Sequence, residues 1–238
     1  MSADGCSDPS VVEWEENKLM MMTACDDGRR RVYESGDKGE SWTEALGTLS
    51  RVWGNKHKGG SGVRSGFTTA TIEEREVMLV TLPVYSKKEG NVEKGELHLW
   101  LTDNTHIVDI GPVSENDDAA ASSVLYKSAG SGSNEKEDEL IALYEKKKDA
   151  EKPSPGMVSV LLKKELERVK KVLETWKEVD KRVPKLCRSP SAEQDKSTAN
   201  ACAVKITDGL VGFLSGNFSN GTWRDEYLGV NATVTGAK

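Results

Sequence analysis

The sequence is poor in aromatic residues (6%) and contains no long apolar run. Its longest hydrophobic stretches, Leu19-Met20-Met21-Met22 and Met78-Leu79-Val80, fall far short of the roughly 20 residues a membrane-crossing helix needs. No segment is therefore expected to span a bilayer. Lys and Arg (33) are outnumbered by Asp and Glu (39), and a net charge of −6 offers phosphate backbones no basic face, which argues against nucleic-acid binding. Three histidines (His57, His98, His106) and four cysteines, none in a CxxC pair, argue against a structural zinc site. Neither a metal nor a cofactor is expected. The start, Met1-Ser2-Ala3-Asp4-Gly5, lacks the basic and apolar parts of a secretory signal. The 238 residues allow one large domain or two modest ones.

Two features point the other way, to an extracytoplasmic setting. Cys187 and Cys202 bracket a Ser/Pro/Ala-rich stretch, and a disulfide closing a loop of that size contributes about 3 kcal/mol. Close by stand three N-x-S/T sequons, at Asn217, Asn220 and Asn231. Sequons packed this densely beside a disulfide loop favour the secretory pathway. Cys6 and Cys25 stand nearly symmetric about a candidate hairpin turn at Glu15-Glu16-Asn17, within reach of a second bridge. A register slip of one residue would put them on opposite faces, so that pairing stays open. An export setting without an export signal is reconciled if the chain is an internal piece of a longer secreted or surface protein.

From residue 11 to about 162 the chain reads as short strands: Val11–Trp14, Leu19–Thr23, Arg31–Ser35, Phe67–Ile72, Val77–Leu82, Glu96–Thr102, Ile107–Gly111, Ser122–Lys127, Leu140–Glu145 and Met157–Leu162. Turn residues every 8–15 positions suit a sandwich, barrel or propeller. The period then changes. Leu166, Val169, Val172, Leu173, Trp176, Val179 and Val183 recur at threes and fours, which predicts an amphipathic helix over 163–183, stopped by Pro184. From Leu210-Val211-Gly212-Phe213-Leu214 the residues again look strand-like, as the opening of another module.

Ser35-Gly36-Asp37-Lys38-Gly39-Glu40-Ser41-Trp42 fits S-x-D-x-G-x-[ST]-W, the Asp-box of sialidases and related propellers. Asp37 can accept from amides of its own tight turn, Gly39 supplies a positive φ, and Trp42 fills the gap between neighbouring hairpins. The run Arg31-Val32-Tyr33-Glu34-Ser35 through Leu49-Ser50-Arg51-Val52-Trp53-Gly54 closely resembles the trypanosome trans-sialidase superfamily. So do Leu99-Trp100-Leu101-Thr102-Asp103-Asn104, Ser122-Ser123-Val124-Leu125-Tyr126 and Gly209–Asn217. The resemblance implies a mainly β chain: the C-terminal half of a six-bladed sialidase propeller (1–162), a linker helix (163–184), and the start of a lectin-like, concanavalin A-like sandwich (185–238). In that architecture the Asp-box staples the propeller face away from the active site.

Active members of this family transfer or hydrolyse terminal sialic acid with a tyrosine nucleophile activated by a glutamate, an aspartate acid/base, and three arginines on the sugar carboxylate. A phenol suits an anionic substrate that would repel a carboxylate nucleophile, and guanidinium forks meet a carboxylate through paired hydrogen bonds. The resemblance assigns the glutamate position, after Gly5-Cys6-Ser7, to Asp8, an arm one methylene shorter. One arginine position falls at Ala24, another near Lys94, and the nucleophile at Ala121. The third arginine and the acid/base belong to earlier blades. Tyr33 and Tyr126 occupy strand positions that ordinarily pack, and His98 and His106 read as ordinary surface or edge residues. The resulting expectation is a catalytically inactive cell-surface glycoprotein that adheres to sialylated glycans or host surface and matrix proteins. An exo-α-sialidase or trans-sialidase is the competing reading, and a truncated remnant the third.

Overall fold

The computed structural model describes residues 5–45, 49–55, 62–85, 94–129, 137–147, 156–186 and 210–235. Cys187 and Cys202, expected to form a disulfide, lie outside the described residues. The described chain is mainly β with one long helix, as the sequence leads one to expect. It divides into two compact units, Met1–Arg168 and Val169–Lys238.

The first unit holds three antiparallel meanders. The first joins β1 (Cys6–Glu15), β2 (Lys18–Cys25), β3 (Arg30–Ser35) and the short β4 (Thr43–Glu44). The second joins β5 (Gly66–Ile72), β6 (Arg75–Tyr85), β7 (Gly95–Thr102) and β8 (Ile107–Pro112); the third joins β9 (Ala119–Lys127), β10 (Glu139–Lys146) and β11 (Gly156–Leu161). In each sheet the strands pair in chain order, and the leading strands run beside one another, β1 against β5 and β5 against β9. Between the first two sheets lies a core of Met20, Met22, Val32, Leu49, Trp53, Met78, Val80 and Leu82, with Trp100 edge-on to Trp53. β6 is apolar almost throughout because it is covered on both faces. Its Pro83 falls beyond the last β5 partner, Gly66 opposite Thr81, where a missing N–H costs the ladder nothing on that side.

The β1–β2 hairpin answers the open question about Cys6 and Cys25. They form a disulfide. Uninterrupted pairing from the Glu16-Asn17 turn would set Cys6 opposite Asp27. Register shifts between Ser7 and Ser10 and between Glu13 and Glu15 bring Cys25 opposite instead.

The helix α1 (Lys163–Leu186) buries every residue of the expected stripe that falls in it, from Leu166 to Val183. Pro184 does not stop it, and the backbone stays helical to Leu186. So near the end, the proline forfeits only the bond to the Asp180 carbonyl and leaves the turn standing. In the second unit Trp176 Nε1 donates to Tyr227 O (2.8 Å), and the Tyr227 hydroxyl donates to Asp180 (2.7 Å). Buried Asp225 accepts from the amides of Phe213, Tyr227, Gly229 and Val230. The stretch Leu210–Leu214 is not a strand. The Phe213 amide is instead drawn to the Asp225 hub, and the small sheet forms later, from β12 (Phe218–Ser219), β13 (Thr222–Trp223) and β14 (Ala232–Thr233).

Candidate functional site

The four residues singled out from the sequence gather at one end of the first unit. Ser7 pairs with Ala24 across β1–β2, and Ala24 with Arg30 across β2–β3, so these three share one face of the first sheet. Asp8 follows at once, exposed, in a left-handed conformation (φ 53°) inside the β1 register shift, and accepts from Ser7 Oγ at 2.6 Å. Ala24 is buried. Ala121 lies near the start of β9, half-buried, beside Ser122. The Ser122 hydroxyl donates to Thr81 O (3.0 Å) and accepts from Gly66 N (3.1 Å), pinning β9 to β5 and β6. Lys94 is exposed just before β7. Its charge helps lower the Asp117 carboxyl, behind the larger effect of the hydrogen bond from Lys146.

Sequence reasoning missed the residues that knit this end together. The segment Gly62-Val63-Arg64-Ser65 runs from the first sheet to the third. Val63 O accepts from Arg30 Nη1 (2.9 Å), Arg64 O from Ser122 N (3.1 Å), and Ser65 O from Ser10 Oγ (2.7 Å). Gly62 rests on Ala24, for a β-carbon on Gly62 would stand 2.1 Å from the Ala24 methyl. The space that a longer side chain at position 24 would need is filled by backbone.

Arg30 is fully buried, and its Nε and Nη2 have no hydrogen-bond partner within the described structure. Burial lowers its guanidinium to about 10, against the opposing charges of Tyr85 and Asp8. Arg30 was legible in principle: it stands two residues before buried Val32, in phase with the core face, although the run Arg29-Arg30-Arg31 suggests surface. Tyr33 is buried and Tyr126 half-buried on the strands assigned to them. His106 is not a surface residue. It is buried, with Nδ1 3.0 Å from Asp103.

The Asp-box closes as its residue types require. Ser35 Oγ donates to Asp37 Oδ1 (2.7 Å) and accepts from Gly39 N (2.8 Å), Ser41 donates to Asp37 through N (2.9 Å) and Oγ (2.5 Å), and Trp42 Nε1 donates to Gly39 O (3.1 Å). Gly39 adopts φ +94°. The Ser41 hydroxyl and amide, with Ser35, hold Asp37 down at about 2. Trp42 also lines a groove of about 490 Å³ with Cys6, Pro9, Met21, Thr23 and Glu40, a groove to which neither Ala24 nor Ala121 contributes.

A BNR repeat-like domain matches residues 1–145, and the trans-sialidase C-terminal domain matches 206–238. The chain belongs to the trans-sialidase superfamily. It is 43% identical over 175 residues to a sialidase of Trypanosoma cruzi, covering 73% of this chain and 14% of that protein. It is 34% identical over 238 residues to sialidase 85-1.1 of the same organism, covering 98% of this chain and 27% of the relative. Trypanosoma rangeli sialidase in complex with sialic acid superimposes with a TM-score of 0.76 at 38% identity, over 98% of this chain and 34% of that one. The chain thus spans about a third or less of these relatives. Among the described residues no helix is long and apolar enough to cross a membrane, and no group of His, Cys, Asp and Glu side chains could hold a metal ion.

Proposed function

We propose that this chain is part of a sialidase-fold surface glycoprotein that binds sialylated glycans without cleaving them. Host surface or matrix proteins are the other partners it would meet in an adhesive role. The observation that carries the reading is a methyl group at each of two decisive positions: Ala121 has no phenol to attack with, and Ala24 has no fork for a carboxylate and is covered by Gly62. The three meanders then form the C-terminal half of a six-bladed propeller over 1–162, followed by a linker helix over 163–184 and the opening of a lectin-like sandwich over 185–238. In support, one face of the third sheet exposes Leu125, Leu143, Met157 and Leu161, as a sheet does when its neighbour belongs elsewhere. The Cys6–Cys25 disulfide supports an oxidising, extracellular setting.

The test is retention of the purified protein on immobilised α-sialosides, released by free sialic acid and absent on desialylated beads. Retention on matrix proteins alone would move the partner away from glycans, and retention on neither would leave a remnant. The competing exo-α-sialidase or trans-sialidase reading would need a phenol from another residue, and Tyr85, half-buried at the end of β6, is the candidate. In that reading Tyr85 replaces the phenol lost at position 121, and Tyr85→Phe would abolish turnover.

A further inference from the structure

The hairpin that opens the small sheet of the second unit reads Phe218-Ser219-Asn220-Gly221-Thr222-Trp223. Phe218 pairs with Trp223 and Ser219 with Thr222, so Asn220 and Gly221 alone make the turn. Both have positive φ, 51° and 73°, the form for which Asn-Gly is the favoured pair. Asn220 is exposed at the tip of this rigid turn. Phe218 stands two residues upstream, in β12. Its ring lies 4.5 Å from that of Trp223, centroid to centroid, and the side chain is still 50% exposed. An aromatic left this open beside a sequon presents an electron-rich face to the C–H groups of an N-acetylhexosamine joined to the asparagine.

The other two sequons lack this arrangement. Asn231 uses its Oδ1 to accept from Asp225 N at 3.0 Å, which ties the side chain to the Asp225 hub. The residue two before Asn217 is Ser215. We infer that Asn220 is the preferred N-glycosylation site of this chain, with the first sugar of the glycan packed on Phe218. The inference rests on the surface-glycoprotein reading and goes beyond it by naming the site and the side chain that selects it.

The full chain, secreted from a eukaryotic host behind an added signal peptide, is digested and its glycopeptides are quantified at each sequon. The expected result is highest occupancy at Asn220, a severalfold fall there for Phe218→Ala, and occupancy retained for Phe218→Trp, which keeps a flat ring. Equal secretion of the variants guards against misfolding. Lower occupancy at Asn220 than at Asn217 or Asn231, or full occupancy in Phe218→Ala, would overturn the inference and leave the surface reading standing. Secreted protein with no glycan at any sequon would count against both.

Discussion

Asp103 sits in the β7–β8 turn, where it accepts from the amides of Thr105 and His106 and pairs with His106 and Arg75. Burial alone would raise its carboxyl, but the hydrogen bonds and charge of His106 and the charge of Arg75 outweigh it and hold the group at about 2. A depressed carboxylate contributes stability above its unfolded value of 3.8, lost as pH falls through about 2. Asp103→Asn should therefore cost about 2 kcal/mol near pH 6 and almost nothing at pH 2, read from urea unfolding across that range. Ala24→Arg gives a second residue-scale expectation. Because Gly62 already fills the space, the variant should lose about 1–3 kcal/mol from overpacking, and adding Ala121→Tyr should not produce sialoside turnover. The two alanines were singled out by resemblance alone, which needs no knowledge of their neighbours in space. The plug over Ala24 was not, since nothing in Gly62-Val63-Arg64-Ser65 shows which strand it will cross. His106 was misread for a similar reason: its burial follows from a turn whose carboxylate reaches back to it.

At the scale of elements, the helix and most strands follow from periodicity. Each residue of the Leu166–Val183 stripe is buried because threes and fours are a property of the helix itself. Pro184 and the Leu210–Leu214 stretch were misjudged because local propensity was outweighed, by a nearly completed helix in one case and by the Asp225 hub in the other. The Cys6–Cys25 register depends on two shifts that composition does not announce. Replacing both cysteines by alanine should lower stability by about 3 kcal/mol for a loop of this length, measured by denaturant unfolding under matched conditions. The β5–β6 turn offers the opposite change. Glu73 and Glu74 both hold positive φ (50° and 63°), which β-carbons disfavour. Glu73→Asn with Glu74→Gly should stabilise by about 1 kcal/mol in the same assay.

For the molecule as a whole, sheet order and apolar exposure decide behaviour. Leu125, Leu143, Met157 and Leu161 expose one face of the third sheet, so the isolated chain should self-associate, and Leu125→Glu with Leu161→Glu should reduce light scattering without unfolding it. The first unit is held by strand pairing and cores such as Met20–Trp53–Leu82, none of which involves a nucleophile. Binding can thus outlast chemistry. The most direct test of lost chemistry is hydrolysis of a fluorogenic α-sialoside by the purified wild-type chain. A rate equal to the protein-free blank is expected. Turnover above the blank that disappears in Tyr85→Phe or Asp8→Asn would contradict the account and make this an enzyme with a relocated phenol.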